Sequence, residues 1–440
     1  MNHLSSRRQF LRTSVTAAAA PFLMTSGRAA ASERVRLAFI GCGGRARQMM
    51  PMFASFADVE IAAVSDVIEP RMGEAGQLLA KTIHPHQPAK LLEYERLLER
   101  QDIDAVVIAT TQHWHGLPHL LACQAGKHIF VEKPLAHTVA EGRAMVEASK
   151  KHGVLTLMGT QQRAGPHYQK AVELVRAGRL GKIALVECWN YHNTGQRVGR
   201  QPDSDPPPGY HWDRWLGPAP YVPFNWSRLN NSWWFDYAGG MMTNWAIHHI
   251  DIILWAMQSW SPLTASCSGG KYFVDDAADT PDTVEASWEF PGWLMQYEYR
   301  GFNNYHKLQS RPNHHGICFH GSQATMVIDR MGYEIWDDAK REVVEKMSAV
   351  PYFDEKNPTR SEQDGPWHRR FIECVKTGTK PPLELEESHK ATVCCHLANI
   401  AYRVGRKIRW DASGETIPGD AEAAGLLSRP RRPGYELPKI

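Results

Sequence analysis

Three groups of residues carry the chemistry available to this sequence. The run Gly41-Cys42-Gly43-Gly44-Arg45-Ala46 fits G-x-G-x-x-A: the first glycine permits a tight turn, the second lets backbone approach a pyrophosphate, and Ala46 lets a helix pack close to a strand. The free N–H groups at that helix start would hold the phosphates. Asp66 follows about twenty residues later, the spacing of a carboxylate that hydrogen-bonds an adenosine ribose. Its charge favours NAD over NADP, because a 2′-phosphate would be repelled, while Arg71 nearby keeps NADP open. Asn244 and His248 stand four residues apart, so on a helix both project from one face. A histidine there suits accepting the proton of a substrate hydroxyl, since its pKa lies near working pH. Asn244 can hold a sugar hydroxyl with donor and acceptor together. Lys133, within Glu132-Lys133-Pro134, suits stabilising charge on the same oxygen.

Short apolar runs must position these groups. Strands are expected at 35–40, 59–65, 104–110, 128–131 and 154–158, with helical segments between them, which implies a parallel doubly wound sheet. Pro51 is expected to shorten or kink the first helix. Ligands of such sheets lie off the carboxyl ends of the strands. Cofactor contacts are therefore expected from Gly41, Gly43, Gly44, Arg45, Ala46 and Asp66, from Thr110, Thr111, His113, Trp114 and His115, and from Glu132, Lys133 and Gln161. After 182 the character changes to longer strand-like runs near 183–192, 284–300 and 315–337, the pattern of a mainly antiparallel sheet forming a pocket wall. Expected substrate contacts are Arg163, Tyr191, Trp234, Asp236, Asn244, His248 and His249. Trp212, Trp215, Trp226, Trp233 and Trp234 with Asp236 suit stacking a pyranose, and loop packing explains each tryptophan equally well.

The Gly-rich turn, Glu132-Lys133-Pro134-Leu135-Ala136 and Gly240-x-x-x-Asn244-x-x-x-His248-x-x-Asp251 together resemble the Gfo/Idh/MocA oxidoreductases, from about 34 to 412. The resemblance implies a dinucleotide-dependent enzyme acting on a sugar, glycoside or cyclitol, with Lys133 and His248 as its catalytic pair and a dimer or tetramer as its assembly. Asn244 stands where many members carry Asp, so the neighbouring imidazole loses a negative partner and its pKa should be lower. Asp251, three residues from His248, is a candidate to orient it. His113, His115, His192, His248 and His249 do not form H-x-x-x-H or C-x-x-C spacing, so no metal is expected.

The fold expected is α/β: a Rossmann domain over 32–160, a substrate-binding α/β domain over 161–412 whose last helices at about 366–405 pack back on the first, and an extended tail over 413–440. With 50 Lys+Arg against 47 Asp+Glu, a net charge of +3 and an apolar share of 43%, the 440-residue chain has no general nucleic-acid affinity and no membrane span. Eight Cys without a C-x-x-C pair read as buried thiols. Arg7-Arg8 before Phe10-Leu11, an Ala-rich stretch and Ala29-x-Ala31 resemble a twin-arginine export signal over 1–31. That route implies folding and cofactor loading before export to the periplasm, and little free NAD afterwards. A tightly held, internally recycled cofactor follows. Redox-neutral glycoside cleavage and a non-catalytic sugar-binding protein with structural NAD are the alternatives.

Overall fold

The computed structural model describes residues 34–81, 87–191, 197–303, 314–349 and 363–440. The export-type segment and His192 lie outside the described residues. Six strands, β1 (Val35–Ile40), β2 (Val59–Ser65), β3 (Ala89–Leu91), β4 (Ala105–Ile108), β5 (His128–Val131) and β6 (Thr156–Met158), form a parallel sheet in the order β3-β2-β1-β4-β5-β6. Every residue of β4 and β6 is buried, as expected of strands covered on both faces. Phe39, Phe53 and Phe130 meet edge to face beneath the helix Gly44–Ala54. Pro51 does not end that helix. Its carbonyl still accepts from Ser55 N at 3.0 Å, and buried Met49, Met50, Met52 and Phe53 hold the last turn on the core.

The second sheet has nine strands: β7 (Ile183–Tyr191), β8 (Thr264–Gly270), β9 (Thr283–Phe290), β10 (Trp293–Arg300), β11 (His315–Gly321), β12 (Ala324–Asp329), β13 (Gly332–Asp337), β14 (Glu342–Ser348) and β15 (Ile408–Arg409). Their order is β14-β13-β12-β11-β7-β10-β9-β8-β15, antiparallel except for the β7–β10 pair. Alternate residues of β9 and β10 are buried, the period of a sheet packed on one face. That face carries Trp288, Tyr297 and Ile317 against Ile250 and Ile253 of the helix Ile247–Met257 and Cys394 and Cys395 of the helix Leu385–Val404.

The seam between the halves is stitched by the helix Asp364–Thr377. Trp367, Phe371 and Ile372 enter the core of the first sheet, and Trp367 Nε1 donates to Met158 O at 2.9 Å. The segment beyond 412 is more structured than an extended tail. It forms the helix Ala421–Gly425, capped by Asp420, and then runs back across the first half. None of the eight cysteines is joined in a disulfide among the described residues; seven are buried and Cys267 is half-buried. Burial pushes the Cys123 and Cys267 thiols up to about 12, which keeps them protonated and unreactive.

Candidate active site

A cavity of about 860 Å³ opens along the carboxyl ends of β1, β2, β4 and β5. Gly41 turns the chain at φ +94°, and a Cβ there would lie 2.7 Å from Ala109 O, so only glycine fits. A Cβ on Gly43 or Gly44 would meet nothing within 4 Å, and both residues line the cavity. Side chains at these two positions would instead occupy the room in front of the helix start, where a pyrophosphate belongs. Thr110 Oγ1 and Gln112 Oε1, buried on the same wall, have no partner among the described residues, as groups awaiting a polar ligand would. The residues present therefore fit a dinucleotide.

Asp66 ends β2, and its carboxylate accepts from Cys42 N at 2.7 Å and Ile68 N at 2.8 Å, which braces the glycine turn. Burial raises its pKa while the charge of Arg71 opposes the shift. Arg71 lines the cavity and forms no ion pair among the described residues. Arg45 serves differently from expectation. It lines the cavity, but its guanidinium is committed to Glu132 at 2.7 Å and Asp364 at 2.6 Å, so it ties the glycine helix to the β5 loop and to the second half. Ala46 is fully buried and lets the helix approach the sheet.

At the other end of the cavity Lys133 Nζ donates to Asn244 O at 2.6 Å and to Asn244 Oδ1 at 3.0 Å. Asn244 lies in a π-helical turn, Met242–Ala246, that leads into the helix carrying His248. Such wide turns are frequent at functional sites. Burial pushes Lys133 down to about 8, against the charge of Glu132 and with help from Arg45 and Arg330. His248 is held well below its ordinary value by burial first, then by the positive charges of Lys133 and Arg330. Burial and these charges favour the neutral ring. Its Nδ1 is buried without a partner among the described residues.

Thr110, Thr111, Trp114, His115, Glu132, Lys133 and Asn244 all reach the cavity, and several expected contacts do not. His113 is buried behind the wall with Nε2 at 3.1 Å from Trp215 O. Gln161 is buried outside the lining. Arg163 makes a two-pronged ion pair with Asp251 at 2.8 Å, both side chains almost fully buried, so neither is available to substrate or to His248. Tyr191 lies on the outer face of β7 beside Trp189, its hydroxyl donating to Glu298 at 2.8 Å and Arg300 stacked on its ring. Trp234 is capped by Arg228 at 4.5 Å, and Asp236 pairs with Arg228 at 3.7 Å. Trp212 and Trp215 stack on one another in a satellite core with Ile68. Trp212 is thus packed within the loop, while Trp215 also lines the cavity and Trp226 is exposed.

His249 is buried beside Trp245 and His315, with ring centres 6.4 and 5.8 Å away. Among the described residues no group of three His, Cys, Asp or Glu could hold a metal ion, and no helix is long and apolar enough to cross a membrane. Sequence reasoning missed Asn190. It sits opposite His315 and Tyr299 on the inner face of β7, fully buried, with neither side-chain atom paired among the described residues. The strand parity of Val186 and Cys188 is the signal that selects it over Tyr191.

Three family models match most of the chain: an NAD-binding Rossmann fold of an oxidoreductase family over 35–160, a GFO/IDH/MocA C-terminal domain over 211–327 and an oxidoreductase-family C-terminal alpha/beta domain over 339–437. The chain belongs to the Gfo/Idh/MocA oxidoreductase family. An alpha-N-acetylgalactosaminidase of Shewanella oneidensis is 31% identical over 164 residues, 36% of either chain. The chain spans about a third of the length of the curated relatives it matches. Among solved structures, the aldose-aldose oxidoreductase of Caulobacter crescentus, complexed with glycerol, superposes with a TM-score of 0.64 at 21% identity, covering 86% of this chain and 99% of its own. The WlbA dehydrogenase of Bordetella pertussis, in complex with NADH and UDP-GlcNAcA, gives 0.62 at 18%, covering 86% and 99%. At these identities the two structures establish the fold alone.

Proposed function

We propose that this chain is an exported NAD-dependent oxidoreductase acting on a secondary alcohol of a sugar, glycoside or cyclitol. The observation that carries the reading is the Lys133–Asn244 contact in the wall of the cavity that the glycine turn opens into, one helical turn before His248, which is buried outside the lining. A bound nicotinamide ring would supply the hydride acceptor; where oxidation is followed by elimination of the glycosidic leaving group, addition of water and return of the hydride, the net reaction would be glycoside cleavage. His248, neutral through burial, takes the proton of the reacting hydroxyl. The Lys133 ammonium, turned from Asn244 to that oxygen, stabilises the negative charge that develops on it. Asn244 orients the hydroxyl through its amide. Support for export is the twin-arginine-like sequence before residue 32, and a dimer or tetramer and a periplasmic site belong to the same proposal. The galactosaminidase relative favours the second reading, redox-neutral glycoside cleavage. A sugar and glycoside panel, with products identified by mass spectrometry, separates the readings: a ketone marks the oxidoreductase, a free sugar the glycosidase, and binding without turnover would overturn both.

The Lys133 charge sets the pH profile. It is present below about 8 and lost above, so kcat/KM is expected to fall as pH rises through about 8. No inflection is expected near the ordinary histidine value, because His248 stays neutral down to well below it. A rising limb near 8 would make Lys133 the proton acceptor instead.

Asp66 should set cofactor choice. In Asp66→Asn the negative charge facing a 2′-phosphate is gone while Arg71 remains, so NAD affinity should fall about tenfold and NADP affinity should rise, a change of about 1.4 kcal/mol on the NAD side. Titration calorimetry with both dinucleotides checks this, and unchanged preference would remove the assignment.

A further inference from the structure

We propose that the last stretch of chain, Arg429–Tyr435, is part of the dinucleotide site and acts as a strap that keeps the cofactor from exchanging. The proposal rests on the dinucleotide reading of the cavity. Gly434 and Tyr435 line that cavity together with Trp114, although they lie far beyond the Rossmann half in sequence. The Tyr435 ring meets Trp114 edge-on at 5.5 Å, and the Trp114 indole in turn lies against Gly217, where a Cβ would fall 2.1 Å from it. A wall of this kind is what a flat heteroaromatic base packs against.

Three arginines anchor the strap to the first half and to the loop that covers it. Arg429 Nε pairs with Glu141 at 2.8 Å and its Nη2 donates to His113 O at 2.7 Å. Arg431 pairs with the same Glu141 oxygen. Arg432 donates to Gly217 O at 2.9 Å and pairs with Asp213 at 2.9 Å, and its guanidinium lies over the Tyr435 ring at 5.2 Å. Glu141 is 2% exposed, near the start of the helix Val139–His152. Lifting the strap withdraws both guanidiniums from that carboxylate and breaks two ion pairs that are buried while the strap is seated, which opposes its release. The covering loop is pinned in the same way, by Arg214 to Glu93 at 2.6 Å and His211 to Glu69 at 2.7 Å. Two segments from outside the Rossmann half thus close over one cavity. An enzyme that works where free dinucleotide is scarce needs such closure.

The test loads the full chain with isotopically labelled NAD and follows its replacement by unlabelled NAD, comparing wild type with a chain ending at Ser428 and with Tyr435→Ala. Circular dichroism and thermal melting confirm that each variant is folded, and Tyr435→Ala, which keeps all three arginine anchors, serves if the truncation fails to fold. The expected result is retention of label by wild type through gel filtration, with exchange about 100-fold faster in the truncated chain and about tenfold faster in Tyr435→Ala. A wild type that binds NAD and exchanges as fast as both variants would overturn the strap alone. A wild type that takes up no dinucleotide would overturn the strap together with the reading of the cavity.

Discussion

Replacing Lys133 by Met will reduce turnover about a thousandfold or more while leaving the fold and bound dinucleotide in place. General acid–base groups contribute roughly 10²–10⁴ in rate, and one preorganised donor to a developing oxyanion about 10²–10³. Lys133 is the cation in direct contact with Asn244, and its burial lowers its pKa and opposes its charge there. Methionine matches the length of the side chain and removes that cost, so stability should hold or rise. Arg45, paired with both Glu132 and Asp364, keeps the loop in position without the lysine. His248→Ala should lose a similar factor by removing the proton acceptor. Steady-state turnover, paired with mass spectrometry of retained dinucleotide, separates these losses from loss of cofactor. If either variant kept full turnover with cofactor bound, the pair would not be the catalytic one.

Arg163→Met should destabilise the protein by about 3–5 kcal/mol, because it strands the carboxylate of Asp251 in a dry interior. Both oxygens of Asp251 are held by the guanidinium at 2.8 Å, and Asp251 is fully buried. Glu387, which also pairs with Arg163 at 3.2 Å, is only half-buried and can turn to water. The double substitution Arg163→Met with Asp251→Leu should recover much of the loss, since removing both charges leaves no uncompensated ion. Denaturant unfolding measures the effect. A variant of wild-type stability and a strongly raised KM would restore Arg163 as a substrate contact.

These two expectations mark where the sequence was legible and where it was not. The dinucleotide cradle could be read because glycine spacing states a backbone requirement, which Gly41 at φ +94° against Ala109 meets. Lys133 could be read because its motif follows a strand end, and Asn244 because it stands four residues before His248, although it falls in a π-helical turn and not in the helix itself. Arg163, Asp251 and Arg45 could not be read, because a cation or carboxylate near a motif looks the same whether it meets a ligand or another buried charge from a distant part of the chain. Tyr191 failed on parity: Trp189 and Tyr191 are buried on the outer face while Cys188 and Asn190 are buried on the inner one, so apolar content alone does not separate the faces of β7. Trp212 of the covering loop packs on Trp215 and Phe224. The strap was hidden by length, since Tyr435 and Trp114 are joined only by the return of the chain across the first half.

The most direct test of the central claim, that this cavity holds a nicotinamide dinucleotide beside Lys133 and Asn244, is to purify the full chain, denature it and quantify the released NAD(H) and NADP(H) by mass spectrometry. The account predicts close to one equivalent of NAD(H) per chain. A protein that releases none and takes up none when dinucleotide is added would contradict it.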